Sequence, residues 1–200
     1  MRKGKRALCE AVKSGDIVTV QRIISSPQFM GLDERSRAVA IGNAVDVASF
    51  PGQPAIMKEL LNATPPAYLQ RVVDGTICSD WDGPMNIDAA CSAGNAECVL
   101  MLLSYGATIT NNSLAEGLSM NLPVAKALID KLPPDEIKYF LTCPWYGPHH
   151  EKDGQTVLEN VEECEQTDER DELIKFLLSM GATRRSVVDA PSMNVEVDEE

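Results

Sequence analysis

Residues 80–111 read DWDGPMNIDAACSAGNAECVLMLLSYGATITN. Two short helical patterns face each other across Gly94-Asn95. In the first, Ile87, Ala90 and Cys91 share one side; in the second, Ala96, Val99, Leu102 and Leu103 do the same. Small residues at Ala89, Ala90 and Ala93 let the paired helix approach closely, and Gly94 suits a reversal that favours positive φ. Tyr105-Gly106-Ala107 reads as a helix stop followed by an exit loop. A helix pair of this size cannot bury its own apolar faces and needs neighbours like itself.

The chain supplies them. Around Gly15, Leu8 answers Ile87, Ala11 answers Ala90, and Ile23-Ile24 answer Leu102-Leu103. Around Gly52, Val45, Ala48, Met57 and Leu60-Leu61 stand at the same offsets. LIKFLLSMGATRR, residues 173–185, parallels VLMLLSYGATIT, with Asp153 to Val161 upstream as its first helix. A weaker copy, Ser113 to Leu132, lacks the turn glycine. Five copies in one chain predict an all-α stack of about five helix pairs.

Asp82-Gly83, then Ile87, Ala90-Cys91, Gly94-Asn95 and the apolar run resemble the ankyrin repeat. Asp153-Gly154-Gln155-Thr156-Val157-Leu158 resembles its opening, and LLSMGA its close. The family's Thr-Pro-Leu-His signature is replaced by Met85-Asn86-Ile87-Asp88 and Thr156-Val157-Leu158-Glu159, which weakens the helix cap at that threonine. The resemblance implies an ankyrin-like helical solenoid over residues 5–185, and the low hydrophobicity and acidic end of residues 186–200 imply a disordered tail. The turn glycines stand farther apart than the family period of about 33 residues. The surplus lies in Thr64-Pro65-Pro66 leading into AYLQRVV and Pro133-Pro134 leading into DEIKYFL, both helix starts. Short extra helices are therefore expected there. Another turn or helix is expected before the long helix that Asp33 would cap, Leu32 to Ala48. Cys143 to Asp153, CPWYGPHHEKD, reads as a long finger loop before the last repeat, and the acidic run Glu162 to Glu172 as a solvated insertion between its helices.

With 30 acidic against 18 basic residues and a net charge of −12, the chain is a poor ligand for nucleic acid or an anionic membrane. No apolar run is long enough to span a bilayer. The start carries no apolar signal core. The 6 cysteines have no scaffold spacing, and Cys9 and Cys91 fall on core faces, which suits a reducing cytoplasm, its own or a host's.

Little in the sequence points to chemistry. His149 and His150 sit near Cys143, Glu151 and Cys164, but no zinc-module spacing is present and nothing orients a Cys-His pair for catalysis. No cofactor, metal site or catalytic residue is expected. What remains is a surface. The ankyrin resemblance implies contact positions at hairpin tips and first-helix ends. Here these are Trp81, Asp82 and Pro84, then Lys152, Asp153 and Gln155, and the helix ends Lys13, Ser14, Phe50, Pro51, Ser92 and Ala93. Trp145 and Tyr146, with His149 on the same loop, add aromatic anchors of the kind that dominate binding hot spots. The expected function is a non-enzymatic adaptor or inhibitor that occludes a partner protein with a basic surface, as in effector or immunity proteins. The alternatives are a metal-binding or catalytic Cys143–Cys164 loop region, and a second copy of the chain as partner.

Overall fold

Three helix reversals are built alike. Gly15, Gly52 and Gly94 take φ of 70°, 71° and 70°. The next N–H in each case reaches back to the preceding helix: Asp16 to the Ala11 carbonyl, Gln53 to Ala48, and Asn95 to Ala90, at 2.9–3.1 Å. This is the six-to-one bond of a left-handed helix stop, which a side chain at the glycine would strain. The computed structural model describes residues 2–77, 86–144, 154–164 and 166–185, with residues 2–5 as backbone only. Every regular element among them is helical. The chain divides into two units, Met1–Leu132 and Pro133–Glu200, a division that falls inside the 5–185 span.

The first unit runs α1 (Arg2–Lys13), α2 (Ile17–Ile24), α3 (Pro27–Met30), α4 (Glu34–Ser49), α5 (Pro54–Asn62), α6 (Leu69–Val73), α7 (Asn86–Ser92), α8 (Ala96–Ser104), α9 (Asn111–Met120) and α10 (Leu122–Ile129). Four antiparallel pairs, α1/α2, α4/α5, α7/α8 and α9/α10, stand side by side. The first helices touch in the order α1, α4, α7, α9, and the second helices in the order α2, α5, α8, α10. The core lies between these two rows, where Leu8, Ile41, Leu60, Ile87, Leu102 and Leu128 are fully buried. Each such side chain contributes roughly 1.5–3 kcal/mol. Cys91 and Cys98 join them, whereas Cys9 is only half-buried, on the flank of the face predicted for it.

The expected extra elements are present. Ser26 caps α3, its hydroxyl accepting from the Phe29 N–H at 3.2 Å. Asp33 caps α4, accepting from the Ser36 N–H at 2.8 Å. Pro66–Tyr68 form a 3₁₀ turn that leads into α6. Helix α6 packs on α4 near Gly42, where a Cβ would lie 3.9 Å from Val72 Cγ2 and 2.2 Å from Cγ2 of Ile77, which follows α6. Gln70 Nε2 then donates to the Gly106 carbonyl at 2.8 Å, clipping α6 to the exit loop of α8.

Polar links also run between pairs. Asn95 Nδ2 donates to the Phe50 carbonyl at 2.7 Å, and Asn121 Nδ2 to the Gly94 carbonyl at 2.9 Å. Each amide of a later turn thus satisfies a carbonyl at the helix end of the pair before it. At the other end of α7, buried Asp88 accepts from the Thr110 hydroxyl at 2.7 Å.

The second unit holds α11 (Pro134–Thr142), α12 (Val157–Glu162) and α13 (Asp168–Ser179), packed through Leu141, Leu158, Val161, Leu173 and Leu177. Two expectations need correction here. The cap at Thr156 is intact: its hydroxyl accepts from the Glu159 N–H at 3.3 Å, and Glu159 accepts from the Thr156 N–H at 2.8 Å. A glutamate three residues on completes a capping box without the family's signature. The acidic run is not all inter-helix insertion, because α13 begins at Asp168 with Thr167 as its cap. Asp168, Glu169 and Asp171 occupy the first turn, where the helix dipole favours negative charge.

Candidate functional site

In the first unit the first helices α1, α4, α7 and α9 are consecutive neighbours and end on the same edge, because each turn meets the next: Gln53 beside Gly15, Asn95 on Phe50 and Asn121 on Gly94. That edge carries Lys13, Phe50 with Pro51, Ser92 with Ala93, and Met120. The predicted helix-end residues are thus brought together by the fold. Lys13 is exposed, and its Nζ lies 3.6 Å from Glu10. Phe50 is 67% exposed although it follows a buried serine, Ser49. It continues the helical geometry of α4, with φ −70° and ψ −49°, so its ring projects from the solvent face. Its carbonyl is held by Asn95. Ser92 is half-buried and donates its hydroxyl to the Asp88 carbonyl at 2.9 Å.

Sequence reading missed Met120. It is 48% exposed, and its Cγ lies 3.4 Å from where a Cβ on Gly94 would stand. The fourth pair lacks a turn glycine, so Asn121 makes the turn in extended backbone, φ −160°, and caps α10 through the Val124 N–H at 3.0 Å.

The electrostatics of the edge are acidic. Asp46 lies one turn before Phe50 and keeps an exposed surface, yet neighbouring atoms displace part of its hydration and raise its carboxyl pKa. Asp16, which caps α2, is held below the usual carboxylate range by hydrogen bonds from Thr19. Glu116 on α9 is half-buried. Burial, with Asp88 and Glu116 nearby, pushes the Cys91 thiol up to about 12, and burial with Glu97 pushes Cys98 up to about 11. Both stay protonated at neutral pH and neither is a nucleophile.

The sequence matches no known family model and no curated protein. The edge is therefore read on its own chemistry. Trp81, Asp82, Trp145, Tyr146 and His149 lie outside the described residues, as do Pro84, His150, Lys152 and Asp153. Of the Cys143–Cys164 region, Cys143 is half-buried and Cys164 exposed, its thiol donating to the Asn160 carbonyl at 3.5 Å. Among the described residues no three His, Cys, Asp or Glu side chains gather as metal ligands. No helix among them is long and apolar enough to cross a membrane.

Proposed function

We propose that this chain is an ankyrin-type interaction protein, an adaptor or inhibitor without catalytic activity, that binds a partner protein through the first-helix ends of its first unit. One observation carries the reading: two first helices that flank α7, α4 and α9, end on a shared edge in the exposed side chains Phe50 and Met120. Exposed apolar side chains that share one edge, unlike ones scattered singly over a surface, mark a candidate protein contact. Divergent ankyrin repeats are supported by the side-by-side pairs and by the glycine reversals, which the ankyrin resemblance anticipates. Occlusion of a partner surface is the mode of action proposed. The acidic field favours a basic partner and speeds encounter, and Trp81, Trp145 and Tyr146, read from the sequence as loop aromatics, are proposed as further partner contacts. Buried free thiols at Cys91 and Cys98 suit a reducing cytosol, its own or a host's.

The test is capture from lysate by wild type and by a Phe50→Ser/Met120→Ser variant of equal helicity by circular dichroism. The expected result is a protein retained by wild type and lost by the variant. Equal retention by both removes the edge from the function.

A further inference from the structure

The edge contains a trough with its own chemistry. Helix α7 lies between α4 and α9. Its solvent-side positions at the edge are small, Ser92 and Ala93, both half-buried. The two flanking walls repeat one pattern. Helix α4 presents Asp46 and, one turn on, Phe50; α9 presents Glu116 and, one turn on, Met120. In each wall residues four apart share a face, so a carboxylate stands beside an exposed apolar side chain. Glu116 is close enough to α7 to act on Cys91, and a Cβ on its neighbour Gly117 would lie 3.1 Å from Cys91 Sγ, which sets that wall against the floor. Neither α7 nor α9 contains a lysine or arginine, and Asp46 has no ion-pair partner among the described residues. Packed helices lie about 8–10 Å apart, so the axes of α4 and α9 are roughly 16–20 Å apart with α7 between them. A helix of about 10–12 Å diameter laid over α7 would bring its two flanks beside the side chains of α4 and α9.

We propose that the trough over α7 receives a basic amphipathic helix of the partner, its lysines and arginines meeting Asp46 and Glu116 and its apolar stripe resting between Phe50 and Met120. This rests on the edge being the binding face and adds the chemistry of what it binds.

The probe is a fluorescent peptide of roughly 18 residues, about five turns, built from lysine and leucine at helical spacing. Two controls carry the same lysine and leucine at strand spacing, and glutamate in place of lysine. By anisotropy on the full chain, the helical lysine peptide is expected to bind at least about tenfold tighter than either control. Phe50→Ser/Met120→Ser weakens it about tenfold. Asp46→Asn/Glu116→Gln weakens it and flattens its salt dependence, while Asp168→Asn/Glu172→Gln, removing equal charge from α13, changes little. Equal binding of the two lysine peptides, or equal effects of the two charge variants, overturns the proposal in favour of general attraction to an acidic protein. A photoreactive amino acid at Ser92 separates the two readings in lysate. A cross-linked partner together with a failed peptide leaves the binding edge standing and overturns the helix. Neither cross-link nor peptide binding overturns both. A cross-linked dimer of the chain itself overturns the basic helix in favour of a second copy.

Discussion

The pair α7/α8 and the pair α12/α13 solve the same problem by different means. Helix α7 is buried from Asn86 to Cys91, with a neighbour on each side, and its reversal is a single glycine turn closed by backbone bonds. Helix α8 has no side-chain cap at its start. The α12/α13 pair has a longer acidic connection, two threonine caps and a bidentate contact of Arg184 with Glu162. Where neighbours supply packing, backbone and methyl groups suffice. Where packing is thinner, caps and charges take over, so that pair answers to pH and salt.

The largest test of this contrast is Leu102→Ala. The side chain is fully buried, and its loss should cost about 2–5 kcal/mol in denaturant unfolding. A cost under 1 kcal/mol would mean that packing does not hold the α7/α8 pair. Next is Gly94→Ala, which forces a Cβ to within 2.6 Å of Asn121 Nδ2 at φ 70°; about 1–3 kcal/mol is expected. Thr156→Ala should cost about 1 kcal/mol through the lost hydroxyl cap, while the pH-sensitive half of the capping box is the Glu159 carboxylate. Burial alone would raise the Glu159 pKa, but the Thr156 and Arg185 N–H groups outweigh it and hold it below 4.5. A depressed carboxylate stabilises above its unfolded value and loses that stability as pH falls through the folded one. Stability measured from pH 6 to 3 should therefore drop below about 4.5 in wild type and drop less in Glu159→Gln. The smallest effect is expected for Phe50→Ser, within about 0.5 kcal/mol. A larger loss would make the ring a packing residue and break the binding edge.

Much of this architecture can be read from residues that punctuate. Gly15, Gly52 and Gly94 mark reversals because few residues accept their backbone, and Pro66 starts the 3₁₀ turn before α6 and Pro134 starts α11 because their φ is preset. The edge was legible where a helix end carried a large side chain, as at Phe50. Met120 escaped because its turn uses an extended asparagine, and no local pattern announces that. Glycines 42 and 117 also gave no warning: they are small because Ile77 presses on the first and helices α7 and α10 on the second, which is information held in the fold rather than in the neighbouring letters. The start of α13 inside the acidic run was hidden for a different reason, since acids that look like a solvated loop are equally at home on a helix's first turn.

The amides of Asn95 and Asn121 have a consequence for how such a chain can change. Both donate to main-chain carbonyls of the preceding turn, and a carbonyl is the same whatever side chain it belongs to. The joint between pairs is therefore blind to the letters at the edge beside it. Lys13, Phe50 and Ser92 can occupy equivalent places without disturbing the joint, and each is free to be exchanged for another. A lineage of this kind can redraw its contact surface one position at a time while its seams stay shut.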